Sequence, residues 1–319
     1  MSSEQVLVKL EQVSRFYGGH VAVDNISFAV KRGEVLGFLG PNGAGKSTTM
    51  QMLTGNLAPS TGLILINDID ILDKPRAAKA HLGYLPEQPP LYRELTVREY
   101  LNYCARLNRI PRPMINSAVD SAIDRCSLGD VRERLIGNLS KGFQQRVGIA
   151  QAVIHAPAIV ILDEPTVGLD PIQIREIRKL IKEIGRDHSV ILSTHILQEV
   201  QSVCDRVQII NQGKLVFADS IDGLREHIDT AALIVRLEQP PAVDKLAALP
   251  GVKSVRVLSE YRYRLQYDDT NPTPVLLTAA VSGGWQLTEL YPDRLSLEEL
   301  FMEMTATDKP ALSENTGDQ

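Results

Sequence analysis

The sequence has no run of about 18 apolar residues, so it offers no candidate for a membrane-spanning helix. Its best apolar stretch, AIVIL at 158–162, has the length of a strand. The N-terminal MSSEQVLVKLEQ lacks the charged-then-apolar pattern of a secretion signal. Cysteine is scarce. Cys104, Cys126 and Cys204 are widely separated and form no Cys-x-x-Cys pair, which points to reduced thiols in a cytoplasmic protein. There is no excess of basic charge either: 34 Lys and Arg stand against 39 Asp and Glu, a formal net charge of −5. A general nucleic-acid binder carries a basic face, so no nucleic-acid partner is expected. Internal repeats and low-complexity blocks are also missing. What is present is an ordinary globular composition, 44% hydrophobic and 23% charged over 319 residues. That length suits one large and one small domain.

Residues 6 to about 220 alternate short β-like runs with helical patterns, the mark of an α/β fold with a largely parallel sheet. VLVKL (6–10), ISFAV (26–30) and LILIN (63–67) read as early strands. VLGFL (35–39), LGYLP (82–86), AIVIL (158–162) and SVILS (189–193) read as core strands, continuously apolar because both faces are covered. Between about 89 and 156 the pattern turns helical. Thr96 and Glu99 form a capping box, and Val97, Tyr100, Leu101, Cys104 and Leu107 mark one face. A second helix is expected over 114–127, closed by Gly129, and a third from Ser140 to His155. The large domain is therefore placed at 1–225. A small domain follows at 226–305, whose β-α-β-β-α-β order suggests a ferredoxin-like α+β unit ending in a helix over 296–305. Residues 306–319 are expected to be a disordered tail.

The chemistry concentrates in a few stretches. GPNGAGKST (40–48) follows a strand and fits Gly-x-x-x-x-Gly-Lys-Ser/Thr from Gly40 to Ser47. In that pattern the backbone N–H groups of Gly40, Pro41, Asn42, Gly43, Ala44, Gly45 and their neighbours wrap phosphates, proline excepted since it has none. Lys46 reaches the β/γ-phosphates, and the Ser47 hydroxyl, followed by Thr48, holds Mg²⁺. IVILDE (159–164) ends a strand in two carboxylates: Asp163 suits Mg²⁺, opposite Ser47, and Glu164 suits a general base for the attacking water. LSKGFQQR (139–146) opens a helix with Ser140 as cap and Gly142 in its first turn, an anion-attracting terminus. STH (193–195) ends another apolar strand with His195, in order after VGLD (167–170).

Together and in this order, the motifs over residues 6 to about 220 resemble the nucleotide-binding subunit of an ATP-binding cassette (ABC) transporter. The resemblance implies a P-loop ABC-type cassette that binds ATP and Mg²⁺ and hydrolyses ATP. It implies that Tyr17 stacks on adenine, that Ser140 and Gly142 meet the γ-phosphate, and that Asp170 communicates across a dimer. It makes Asp163 and Glu164 the metal-linked acid and the base, and His195 the sensor of the γ-phosphate. Where the family's signature usually reads Leu-Ser-Gly-Gly-Gln, Lys141 and Phe143 replace a glycine and the glutamine. The family's glutamine after the 82–86 strand, which touches metal and water, aligns with Glu87, and Gln88 stands one residue along. Both remain candidates for that contact, Glu87 as a metal ligand. The string GYLPEQPPLYRELTVREYL (83–101) and the small appendage look most like exporter-type cassettes. Implied partners are a separate polytopic membrane permease subunit and a second ATP-binding subunit, a homodimer, at the cytoplasmic face of the membrane. The alternatives are an importer ATPase, or a soluble ABC-type ATPase of translation or DNA maintenance. Against the latter stand the single cassette and the 94-residue step from Lys46 to Ser140, with no sustained heptads.

Overall fold

The computed structural model describes residues 5–226, 232–267 and 270–293. The helix expected over 296–305 and the tail over 306–319 lie outside them. The chain divides into two compact units, 1–221 and 222–319.

The first unit holds two sheets. One is antiparallel, β1 (Val6–Tyr17), β2 (His20–Lys31), β4 (Thr61–Ile66) and β5 (Ile69–Asp70), in the order β2-β1-β4-β5. Its first two strands run well past the expected 6–10 and 26–30. Gly18 and Gly19 join them as a tight hairpin that sets Tyr17 opposite His20. The other sheet contains parallel β3 (Val35–Leu39), β6 (Leu82–Leu85), β7 (Ile159–Asp163), β8 (Ser189–Thr194) and β9 (Arg206–Asn211). Antiparallel β10 (Lys214–Ser220) covers one edge, giving the order β10-β9-β3-β8-β7-β6. Every residue of β3, β7 and β8 is buried, which is why these strands read as unbroken apolar runs. The sequence reading assigned no strands over 206–220. The sequence signal is Asn211-Gln212-Gly213 between the apolar runs VQII and LVF, and in the structure Gln212 and Gly213 both take positive φ in the turn that joins β9 to β10.

Helix α1 (Lys46–Leu53) springs from β3, and α2 (Pro75–Lys79) lies on the antiparallel sheet's side of β6. The helical part contains α3 (Val97–Leu107), α4 (Ile115–Arg125) and α5 (Lys141–Val153). The capping box forms as expected: Glu99 N donates to Thr96 Oγ1 at 3.2 Å, and Thr96 N donates to Glu99 Oε2 at 2.8 Å. The end of α4 differs from expectation. The left-handed residue that closes it is Ser127, and Gly129 instead opens a short 3-10 turn. α5 is pressed onto β6. A Cβ on Gly83 would sit 2.0 Å from the Ala152 carbonyl, and Gln151 Nε2 donates to Tyr84 O at 2.7 Å. Helices α6 (Pro171–Ile184) and α7 (Leu197–Val203) flank β8, and α8 (Ile221–Glu226) covers the residues where the units divide.

The second unit is β11 (Ala232–Leu237), α9 (Val243–Ala247), β12 (Val252–Ser259), β13 (Arg262–Tyr267), α10 (Thr273–Gly283) and β14 (Leu287–Pro292). The sheet order is β12-β13-β11-β14, antiparallel throughout, the ferredoxin-like arrangement expected from the element order. Leu233, Val235 and Leu237 on one face of β11 meet Leu246 of α9 and Leu276 of α10 in its core.

Candidate nucleotide site

The carboxyl ends of β3, β7 and β8 converge, as ligand sites of open α/β sheets do. The loop 40–45 leaves β3 and enters α1 through Gly45, whose φ is 107° and where a Cβ would lie 2.6 Å from the Ala22 carbonyl. Only glycine meets both demands. The loop and strand ends enclose a cavity of about 420 Å³. Asn42, Gly43 and Gly45 line it from the loop, Lys46, Ser47 and Thr48 from the first turn of α1, and Tyr17, Glu87, Glu164 and His195 from elsewhere. His20 also lines it, a residue the sequence reading missed. Reading Gly18-Gly19 as a hairpin turn would have placed it beside Tyr17.

Lys46 is buried and folds back across its own loop. Its Nζ donates to the carbonyls of Gly40 at 2.8 Å and Pro41 at 3.2 Å. It stands 3.4 Å from Glu164 Oε1. The other carboxylate oxygen, Oε2, accepts from His195 Nδ1 at 2.9 Å, which assigns the proton to Nδ1 while Glu164 is ionised. Glu164 is itself held in left-handed backbone, φ 48°, and its N donates to Ser193 O at 2.9 Å. Strain of this kind in a non-glycine residue persists where its surroundings over-determine it. Next to it, Asp163 is 3% exposed, and its Oδ1 has no hydrogen-bond partner among the described residues. Burial pushes the Asp163 carboxyl above the usual aspartate range, and the charges of Glu164 and Glu87 add to this. The Ser193 hydroxyl, its register partner, and Lys46 act the other way. Tyr17 is half exposed, with the Arg15 guanidinium 4.6 Å from its ring centroid.

Other named residues lie apart from this cavity. Gly40, Pro41 and Ala44 shape the loop without lining it. Gln88 lines a separate groove with Pro89, Leu91, Lys141 and Gln144, and Glu87 borders both spaces. Ser140 caps α5, its Oγ accepting from Phe143 N at 3.4 Å, and Asp170 caps α6 through Ile172 N and Gln173 N, both at 3.0 Å. Gly142 lies where a Cβ would be 2.5 Å from Gln173 Oε1, so the first turns of α5 and α6 touch.

Comparison with known proteins accounts for this arrangement. A family model described as ABC transporter matches residues 23–167, and one described as ATP-binding protein DrrA1-3-like, C-terminal domain, matches residues 220–305. The chain is 33% identical over 315 residues to the uncharacterized ABC transporter ATP-binding protein YhcH of Bacillus subtilis (strain 168), covering 96% of this chain and 98% of that one. The chain belongs to the ABC transporter ATP-binding proteins. It is also 37% identical over 222 residues to the bacitracin transport ATP-binding protein BcrA of Bacillus licheniformis, covering 69% of this chain and 72% of that one. Among solved structures, cbiO1 from Clostridium perfringens, part of the ABC transporter complex cbiONQ, matches at a TM-score of 0.63 and 32% identity, covering 69% of this chain and 91% of that one. This ABC subunit is thus an ATP-binding protein and ATPase. The 23–167 match contains the phosphate loop, Glu87, Ser140 and the Asp163–Glu164 pair, while Tyr17, Asp170 and His195 fall outside it. None of the helices among the described residues is long and apolar enough to cross a membrane.

Proposed function

We propose that this subunit hydrolyses Mg²⁺-bound ATP in the cavity between the phosphate loop and the ends of β7 and β8, and that it drives an exporter. The observation that carries the reading is Glu164, buried and held between Lys46 and His195 at the mouth of the loop. ATP enters with adenine against the Tyr17 ring and its phosphates along the N–H groups of 42–48. Lys46 leaves the loop carbonyls for the β/γ-phosphates. Glu164 takes the proton of the attacking water as its oxygen bonds to the γ-phosphorus and the bond to the β-phosphate oxygen breaks. His195 orients Glu164 through Oε2 and lies close enough to answer the presence of the γ-phosphate.

The residues fit a divalent cation: the Ser47 hydroxyl and the Glu87 carboxylate line the cavity, and Asp163, next to the lining Glu164 in sequence, has a buried oxygen without a partner among the described residues. Mg²⁺ held there would neutralise charge on the transferring phosphoryl group. Ser140 and Gly142, which stand apart from the chain's own cavity, would meet the γ-phosphate of a second copy in a head-to-tail homodimer, with Asp170 near the junction. Closure and reopening of that dimer would move a separate polytopic permease at the cytoplasmic face of the membrane. Support for export comes from the DrrA-like C-terminal match and the relative named for bacitracin transport.

The test is to trap Glu164→Gln with Mg·ATP in mild detergent from its native host and identify what co-purifies. A polytopic membrane protein bound to two copies of the chain supports the reading. Ribosomes, DNA-bound factors or a homodimer alone would leave the ATPase standing and remove the transporter coupling.

A further inference from the structure

Glu199, on α7, is 1% exposed and belongs to none of the motifs above. Its buried neighbours on the helix, Leu197, Val200 and Val203, are apolar, as packing alone would require. A carboxylate in such a place is costly unless its oxygens are bonded. Those oxygens are divided between the loop after β7 and the end of β8. Oε1 accepts from the Thr166 hydroxyl, and Oε2 accepts from the Thr194 hydroxyl at 2.8 Å. Both threonines are fully buried. Thr166 follows Glu164 by two residues, and Thr194 immediately precedes His195.

The bond to Thr194 has a fixed direction. Thr194 Oγ1 already accepts from Ile196 N at 3.1 Å, which leaves its proton to point at Glu199. The Thr194 carbonyl accepts from Gly40 N at 3.3 Å, so the phosphate loop is tied to the same point. Arg178 stands 3.9 Å from Oε1 and is partly exposed. One buried carboxylate thus holds the loop after β7 and the end of β8, and through Thr194 it is linked to the phosphate loop.

We propose that Glu199 is a positioning residue for ATP hydrolysis. It sets Thr166 and Thr194 at one spacing, and that spacing lets Glu164 Oε2 and His195 Nδ1 meet at 2.9 Å. A fully satisfied buried polar network rigidifies what it joins. Glu199 is not among the residues that line the cavity, so its loss acts through the geometry of the base. The inference rests on Glu164 being that base.

The experiment uses the full chain and measures phosphate release, ATP affinity and thermal midpoint. The variants are Glu199→Leu, Glu199→Gln and Thr166→Val, with Glu164→Gln as control. Glu199→Leu is expected to lower kcat about 10- to 100-fold, as small misplacements of reacting groups do, with ATP affinity unchanged. Glu199→Gln, which keeps one acceptor oxygen, should recover part of the loss. Thr166→Val added to Glu199→Leu should cost little more, because both remove the same tie. Wild-type kcat in folded Glu199→Leu overturns the proposal. So does a fall of kcat and affinity together in step with the thermal midpoint. Should Glu199→Leu not fold, Thr166→Val and Glu199→Gln decide: reduced kcat with intact affinity supports the role, and unchanged kcat in both sinks it. Normal turnover in Glu164→Gln would instead remove the base. An inert Glu164→Gln beside unaffected Glu199 variants removes only the present inference.

Discussion

Glu164→Gln separates binding from chemistry. The carboxylate lies 3.4 Å from Lys46 Nζ. At an effective dielectric of about 20 this separation corresponds to roughly 5 kcal/mol of attraction, before the desolvation of two buried groups is subtracted. The amide removes that attraction and leaves Lys46 its two carbonyl bonds, to Gly40 and Pro41, so the lysine stays on the loop. It also removes a negative charge from beside the space the phosphates would fill, so ATP affinity should hold or rise. The proton acceptor is gone, and a general base contributes about 10²–10⁴-fold. Phosphate release at saturating Mg·ATP is expected to drop by that factor, while a fluorescent ATP analogue binds at least as tightly as to wild type. Near-normal release, or a loss of affinity parallel to the loss of rate, would refute the reasoning.

Three further outcomes follow from other contacts. Lys46→Ala should weaken ATP binding roughly 10- to 150-fold, the worth of one charge-assisted bond to phosphate at about 1.5–3 kcal/mol; calorimetry showing wild-type affinity would count against the lysine's role. Asp163→Asn should stabilise the nucleotide-free protein while abolishing Mg²⁺-dependent hydrolysis. The folded carboxyl has a raised pKa, so the native state holds its proton more tightly than the unfolded chain. Stability is therefore lost as pH rises from the ordinary aspartate range through the folded value. The gain in midpoint from asparagine should be full above that window and vanish in acid, and an unchanged midpoint at neutral pH would contradict it. Gly83→Ala forces a methyl against the Ala152 carbonyl and should cost about 1–3 kcal/mol, lowering the midpoint by about 2–12 °C in a thermal melt.

The cavity's own lining was legible where it is contiguous in sequence. Asn42 to Thr48 run from one loop into the first turn of α1, and Glu164 and His195 follow directly on apolar strands whose unbroken hydrophobicity betrays a doubly covered sheet. Strand ends in such a sheet converge, so residues 31 apart in sequence could be expected to meet. Pairings that depend on a third element could not be read. Glu199 looks like any polar residue of a short helix until the Thr166 and Thr194 hydroxyls are seen to end on it. His20 depends on the Gly18–Gly19 hairpin, which becomes legible only when that glycine pair is taken as a turn between two strands. The left-handed position after α4 falls on Ser127 and not on the nearby Gly129, which composition alone does not indicate.

The close seat of α5 on β6 has a mechanical consequence. Thirteen residues of helix make a strut about 20 Å long. One end carries Ser140. The other is clamped to β6 by the Gly83–Ala152 contact and the Gln151 bond to Tyr84. β6 in turn leads directly to Glu87 on the rim of the cavity. A push on Ser140 along the helix would be carried into β6, two residues short of Glu87. Whatever displaces the outer end of the strut would therefore be felt, within the same chain, at the rim of the cavity.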